Sequence, residues 1–92
     1  MEYFALIYSL VDDYLERRTT LREKHLNLAK EAKSRGELIL AGAFSGPADR
    51  ALLVFRVKDR AVIEEFIRND PYVKNGLVTR WEIRPWSVVI GN

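Results

Sequence analysis

The sequence predicts an α+β fold in which the elements follow the order β-α-β-β-α-β, the ferredoxin-like arrangement. Residues 1–92 have the length of a single domain. Four short segments rich in apolar residues are typical of strands, and two segments with a helical apolar spacing lie between them. Because such crossovers are right-handed, both helices should lie on one face of a four-stranded antiparallel sheet.

The first strand and the first helix come from the N-terminal part of the chain. In the segment YFALIYSL, residues 3–10, apolar residues occur at both odd and even positions. This pattern predicts a strand that is buried on both faces. Asp13 and Glu16 have the spacing of a helix capping box, so a helix should begin near Tyr14. This helix should end at Gly36, a residue type that favours helix termination.

A β-hairpin is predicted next. LILAGAF, residues 38–44, and ALLVFRV, residues 51–57, are typical of strands, and the intervening SGPAD, residues 45–49, favours a turn. These strands lack the apolar–polar alternation of a sheet with one face in water. We therefore expect the face without helices to be covered by a second copy of the chain, in a homodimer whose sheets pack face to face.

The second helix and the last strand complete the predicted domain. Asp59 can cap this helix. Its apolar face is formed by residues at helical spacing, namely Val62, Ile63, Phe66 and Ile67. The helix should end at Pro71, because the residue before a proline is pushed out of helical geometry. GLVTRWEIRPWSVVI, residues 76–90, predicts a long strand in which Pro85 indicates a bulge or an edge position.

The composition limits the classes of function. The chain has no cysteine and one histidine, which disfavours a high-affinity transition-metal site, and no glycine-rich loop for phosphate. The net charge of +2 comes from interspersed positive and negative residues, unlike a nucleic-acid-binding surface. No apolar run has the length of a membrane span, and the N-terminus does not resemble a signal peptide. We expect a cytoplasmic protein that acts without a cofactor, a membrane or a nucleic acid.

The single histidine has an unexpected position in the first helix. On a helical wheel of about 100° per residue, His25 lies near the middle of the apolar face, and Arg18 falls in the same arc. His25 can be a packed core residue, and Arg18 can lay its stem on the apolar surface with its charge in water. Alternatively, both line a small cleft, which the small side chains of Ala29 and Ala32 favour.

Asp70 is a candidate partner for His25. It lies in NDPYV, residues 69–73, directly after the second helix, and both helices share one face of the sheet. A carboxylate on one imidazole nitrogen fixes the tautomer and leaves the other nitrogen free as a general base. Equally, Asp70 can be a turn residue that caps the amides following it.

Two segments resemble the YciI-like (YCII-related) family. RRTTLREKHLNLAKEAKSRGELILAG carries the R…R..HL helix of that family, and NDPYVKNGLV carries its DPY turn. The resemblance implies a dimeric α/β barrel of ferredoxin-like fold with a His–Asp pair, here His25 and Asp70, as the active site. Arg22 matches the arginine before the histidine, and Tyr72 matches the tyrosine of DPY. Ser9 stands where many relatives have an aspartate, so this chain departs from them if that acid takes part in their site.

Two further segments, YSLVDDYLERR and GLVTRWEIRPW, resemble the branch of the family that includes a chlorohydroxyhydroquinone dehydrochlorinase. The resulting hypothesis is a lyase or isomerase that transfers a proton on a small oxygenated or aromatic compound without a cofactor. The candidate residues for substrate binding are Arg18, Arg22, Tyr72 and Ser9. The alternative is a non-catalytic ligand-binding or accessory dimer in which His25 and Asp70 only satisfy each other's hydrogen-bonding groups.

Overall fold

A computed structural model describes residues 1–91 and contains the expected ferredoxin-like α+β fold. The four strands form one antiparallel sheet in the order β2-β3-β1-β4. The strands are β1 (Glu2–Leu10), β2 (Leu38–Ala43), β3 (Arg50–Val57) and β4 (Val78–Pro85). The helices are α1 (Tyr14–Arg17), α2 (Arg22–Ser34), α3 (Ala61–Asn69) and α4 (Pro71–Lys74). No helix within residues 1–91 is both long and apolar enough to cross a bilayer.

The core lies between the helices and one face of the sheet. Along β1 every second side chain is buried in this core, as the two-residue period of a strand requires. These side chains are Phe4, Leu6, Tyr8 and Leu10. The intervening residues of β1 are only half-buried in the single chain, so the expectation of burial on both faces is met on the helix-covered face alone.

The first helix is interrupted, which corrects the prediction of one continuous helix from Tyr14 to Gly36. A 3₁₀ turn, Arg18–Thr20, separates α1 from α2. The Thr19 hydroxyl donates to the Glu16 carbonyl at 2.9 Å and occupies an acceptor at the end of α1. Two consecutive β-branched threonines also have low helix propensity, so the break falls where the helix is weakest.

The second helix and the last strand follow the sequence with two differences. Asp59 Oδ1 accepts the backbone N–H of Ala61 at 2.8 Å, so the expected cap is present. α3 ends at Asn69, and Pro71 then begins the additional short helix α4. β4 is an edge strand, as Pro85 indicated, but it ends at that proline rather than continuing to residue 90.

Candidate active site

Asp70 lies between α3 and α4, and its carboxyl group is fully buried. Three groups surround its two oxygens. Oδ1 accepts the backbone N–H of Tyr72 at 3.0 Å and lies 2.8 Å from Nδ1 of His25, while Oδ2 accepts the hydroxyl of Tyr8 at 2.7 Å. The capping role and the pairing role that the sequence left open are therefore both filled by this one carboxylate.

His25 lies in the first turn of α2, close to the middle of the site. A carboxylate only accepts hydrogen bonds, so in the neutral imidazole the proton belongs on Nδ1 and the lone pair on Nε2. No residue in the described part of the chain is hydrogen-bonded to Nε2, and no buried side-chain nitrogen or oxygen there lacks a partner. Nε2 is therefore accessible from outside the protein, and the histidine side chain is 15% exposed.

Aromatic rings fix the orientation of the imidazole. The ring of Tyr72 stacks on His25 with centroids 3.8 Å apart and an interplanar angle of 9°. Tyr14 packs edge-on against Tyr72 at 5.6 Å. The guanidinium of Arg18 lies 5.2 Å from the centre of the Tyr14 ring, and its Nη1 donates to the Tyr14 hydroxyl at 3.5 Å. The base, two tyrosine rings and a cation thus form one continuous series of contacts.

The environment keeps two phenols of the site protonated. Burial raises the pKa of Tyr8 far above its ordinary value, and the charge of Asp70 and the hydrogen bond to it act in the same direction. Burial also raises the pKa of Tyr72 to about 12, while the nearby charges of Arg22 and Arg18 oppose that rise. Both hydroxyls are therefore protonated at neutral pH, and that of Tyr8 donates its proton to the hydrogen bond with Asp70.

An open cavity of about 280 Å³ lies between α2 and the β2–β3 part of the sheet. His25, Arg18, Arg22 and Tyr72 line it at one end. Most of its remaining wall is apolar or small, with Leu10, Leu26, Ala29, Leu38, Ala51 and Leu53 among the lining residues. The volume is close to the lower limit of ordinary ligand sites, which suits a compound with one ring.

The structure brings together five of the six residues that the sequence singled out. Asp70 supports His25 from behind, and Arg18, Arg22 and Tyr72 line the same cavity as the imidazole. Ser9 is the exception and does not line it. Consecutive residues of a strand point to opposite faces, and because Tyr8 points toward the helices, Ser9 points away from the site.

Tyr8 is the functional candidate that the sequence interpretation missed. Its hydroxyl donates to Oδ2 of Asp70, 62 residues away in the chain. The sequence of β1 is typical of an apolar strand, and a tyrosine in such a strand is interpreted as one more large core side chain. A signal was nevertheless present, because a buried tyrosine usually needs a hydrogen-bond partner and Tyr8 shares its strand face with Leu6 and Leu10.

Comparison with solved structures supports the fold. 5-Chloro-2-hydroxyhydroquinone dehydrochlorinase from Burkholderia phenoliruptrix AC1100, in complex with 2,5-dihydroxybenzoquinone, is similar with a TM-score of 0.78 and 17% identity, over 92% of this chain and 93% of that chain. A NIPSNAP family protein from Agrobacterium tumefaciens has a TM-score of 0.62 and 17% identity, over 96% and 92% of the two chains. A NIPSNAP domain protein from Burkholderia xenovorans has a TM-score of 0.60 and 14% identity, over 98% and 96%.

The identities are too low for these structures to establish more than a shared fold. No curated protein sequence matches this chain closely enough to be a relative. The family assignment comes instead from the sequence model of the YCII-related domain, which matches residues 1–87. That match includes the helix with His25 and the turn with Asp70. The chain belongs to the YCII-related family.

Proposed function

We propose that this chain is an enzyme that transfers a proton on a small oxygenated ring compound without a cofactor, with His25 as the general base. One observation carries the proposal. Nδ1 of His25 is held by the buried carboxylate of Asp70, while Nε2 has no partner within the described part of the chain and is accessible beside a cavity of ligand size. This is the arrangement that a histidine base needs.

The chemistry follows from the tautomer. Nε2 accepts a proton from a ring hydroxyl or an acidic ring carbon, and the resulting imidazolium is stabilised by Asp70 at 2.8 Å. The electron pair left on the substrate then either takes the proton back at another atom, which is an isomerisation, or expels an anion, which is an elimination. A positioned acid–base group contributes about 10²–10⁴ in rate, enough for such activated compounds.

The substrate class rests on two supports. A cavity of about 280 Å³ with a largely apolar wall fits a single ring. The similar dehydrochlorinase is in complex with 2,5-dihydroxybenzoquinone, a ring of this size. We therefore take hydroxylated quinones and quinols as the first compounds to test.

The homodimer belongs to the same proposal. On the face of β1 and β3 without helices, Ile7 lies opposite Leu52 and Ala5 lies opposite Val54. These side chains are only half-buried in the single chain, except Val54, which is buried there. An apolar face of this kind favours a second copy whose sheet packs against it.

Proton transfer can be measured before the leaving group is known. In D₂O, a working base should speed the exchange of the ring C–H of 2,5-dihydroxybenzoquinone, which ¹H NMR follows directly. We expect the catalysed exchange to fall by about 10²–10⁴ in His25→Gln and in Asp70→Asn. Lys24→Gln, an exposed change on the same helix, is the matched control. Equal exchange rates in wild type and His25→Gln would refute the proposal.

The alternative of a non-catalytic binding module has one observation in its favour. Asp70 is fully buried and all three of its contacts are inside the protein, as in a purely structural network. This reading predicts that quinone probes bind with no acceleration of exchange, together with a loss of stability in Asp70→Asn. Release of chloride from 5-chloro-2-hydroxyhydroquinone by the wild type would decide for the enzyme.

A further inference from the structure

The charged residues lining the cavity all have the same sign. Four basic side chains line it: Arg18, Arg22, Lys30 and Lys33. Among residues 1–91, no aspartate or glutamate is part of its wall. Asp70, the nearest carboxylate in the site, is fully buried behind His25 and engaged by three donors. The positive charge facing a ligand is therefore not neutralised by an acid in the cavity wall.

The two arginines are free to bind an anion. Within the described residues, the salt bridges of Arg17, Arg35, Arg60, Arg68 and Arg84 are all made with carboxylates. Arg18 and Arg22 have no such carboxylate partner there. Arg18 is half-buried and held by Tyr14, so its guanidinium is placed before a ligand arrives. A preorganised guanidinium loses little freedom on binding and matches the geometry of a carboxylate or enolate.

The two arginines lie close to the base, so their positive charge acts near the position where the substrate would react. Arg22 precedes His25 by three residues on α2, and Arg18 lies against Tyr14, which packs on the Tyr72 ring that stacks on His25. The cations and the imidazole therefore lie at the same end of the cavity. Lys30 and Lys33 follow Arg22 by two and three helical turns on α2, and their exposed amino groups extend the positive field along the cavity.

The neighbouring groove has a different charge pattern. It shares Arg18 and Arg22 with the cavity, but Asp12 and Asp49 also line it. Of these two neighbouring spaces, only the cavity beside His25 has basic residues without an acid among the described residues that line it. A general basic surface would not show this contrast, and the whole chain carries a net charge of only +2.

From these observations we infer that the cavity selects ring compounds that are already anionic, and that Arg18 and Arg22 hold a ring-bound oxyanion beside Nε2 of His25. The inference rests on the proposed function and narrows its substrate class. A negative charge next to the reacting position would otherwise oppose removal of a further proton, and the two guanidiniums offset that cost. The oxyanion can be a ring enolate or a ring carboxylate, which share the same hydrogen-bonding chemistry.

Two pairs of probes of nearly equal shape test the inference by calorimetry. 2,5-Dihydroxybenzoquinone, ionised at neutral pH, is compared with the neutral 2,5-diaminobenzoquinone, and 2,5-dihydroxybenzoate is compared with 2,5-dihydroxybenzamide. We expect the anion of at least one pair to bind roughly tenfold or more tightly than its neutral partner, with a preference that weakens as salt is added. The pair that discriminates more strongly tells enolate from carboxylate. Equal affinities within both pairs would overturn the inference.

Variants separate local recognition from overall charge. Arg18→Gln and Arg22→Gln should each weaken binding of the anion roughly tenfold to hundredfold and leave the neutral probe unaffected. Lys24→Gln removes the same charge from α2 outside the cavity wall and should change affinity less than about twofold. If Lys24→Gln weakened binding as much as Arg22→Gln, a specific site would be refuted.

Binding by calorimetry and the exchange of ring protons, measured on the same variants, together distinguish this inference from the proposed function. His25→Gln should keep the preference for anions, because the arginines remain, but should lose the catalysed exchange of ring protons. Binding of anions without exchange in the wild type would leave the inference standing and remove the proposed enzyme. Catalysed exchange in the wild type without any preference for anions would support the proposed enzyme and overturn the inference.

Discussion

The imidazole of His25 and the ring of Tyr72 lie face to face, with centroids 3.8 Å apart and planes 9° from parallel. Tyr72 also donates its backbone N–H to Oδ1 of Asp70, the oxygen that Nδ1 of His25 contacts. One residue thus orients the base through its ring and the carboxylate through its amide. The amide contact does not depend on the side chain, so substitution can separate the two effects.

Replacing Tyr72 tests the ring contribution. Tyr72→Leu removes the stacking on His25 and the edge contact with Tyr14, and each aromatic pair is worth about 0.5–1.5 kcal/mol. We expect the free energy of unfolding in urea to fall by about 1–3 kcal/mol on this basis. Tyr72→Phe keeps both rings in contact and should lose distinctly less. Equal losses in the two variants would show that the hydroxyl, not the stack, matters.

The tautomer of His25 should depend on Asp70. In the wild type, the neutral imidazole should carry its proton on Nδ1, because the facing carboxylate oxygen only accepts. Asp70→Ala removes the acceptor that faces Nδ1, so the Nδ1 proton loses its partner and the Nε2-protonated form should become populated. Two-bond ¹⁵N–¹H correlation spectra of the ring distinguish these tautomers. An unchanged tautomer in Asp70→Ala would mean that Asp70 does not control the base.

The sequence predicted the fold because its signals are local and periodic. Asp59 and Pro71 predicted the limits of the second helix. In the structure the Asp59 side chain caps its start, and the helix ends before Pro71. The break at Arg18–Thr20 was not predicted, since the apolar spacing continues through it and only the paired threonines oppose a helix. Ser9 was assigned to the site by resemblance alone, and the two-residue period of β1 puts it on the strand face opposite to that of Tyr8.

The contacts of the site are harder to predict than its members. His25 and Asp70 lie 45 residues apart in the chain, and the topology of two helices on one face was enough to suggest their approach. Tyr8 and Asp70 meet from 62 residues apart, and although a buried tyrosine hydroxyl indicates that a partner is needed, nothing local identifies Asp70 as that partner. Such a contact follows only from the register of strand and helix in three dimensions.

The face of the sheet without helices should mediate a homodimer, and Leu52→Lys should disrupt it. Leu52 lies opposite Ile7 in the middle of this face, with Arg50 and Arg56 on the same strand face. A new lysine would be buried without an opposing charge in the dimer, at a cost of several kcal/mol. Analytical ultracentrifugation should give twice the chain mass for the wild type and one chain mass for the variant.

Leu15→Lys is the matched control for that change. Leu15 is 53% exposed on α1, away from the open sheet face, so the same substitution there should leave the mass unchanged. A wild type that sediments as a single chain would contradict the dimer directly. Dissociation by Leu15→Lys as well would point to an interface that includes α1.

Tyr8 should make the stability of the protein depend on pH in the alkaline range. The pKa of Tyr8 is raised from 10.0 by burial and by the Asp70 charge, so above pH 10 the unfolded chain releases this proton and the folded chain keeps it. The folded state then binds more protons, and the free energy of unfolding falls by about 1.4 kcal/mol per pH unit for this group. The contribution is complete below pH 10 and is lost as the pH rises further.

Tyr8→Phe isolates this effect. At neutral pH the variant should be less stable by about 1.5–3 kcal/mol, because Asp70 loses a hydrogen-bond donor. Above pH 10 the difference between the two proteins should shrink, since only the wild type loses the Tyr8 contribution. Urea unfolding in steps across that pH range measures both curves, and Tyr72, Lys and Arg ionise equally in each. Curves that stay parallel would show that Tyr8 ionises as easily in the folded protein as in the unfolded chain, contrary to its buried bond with Asp70.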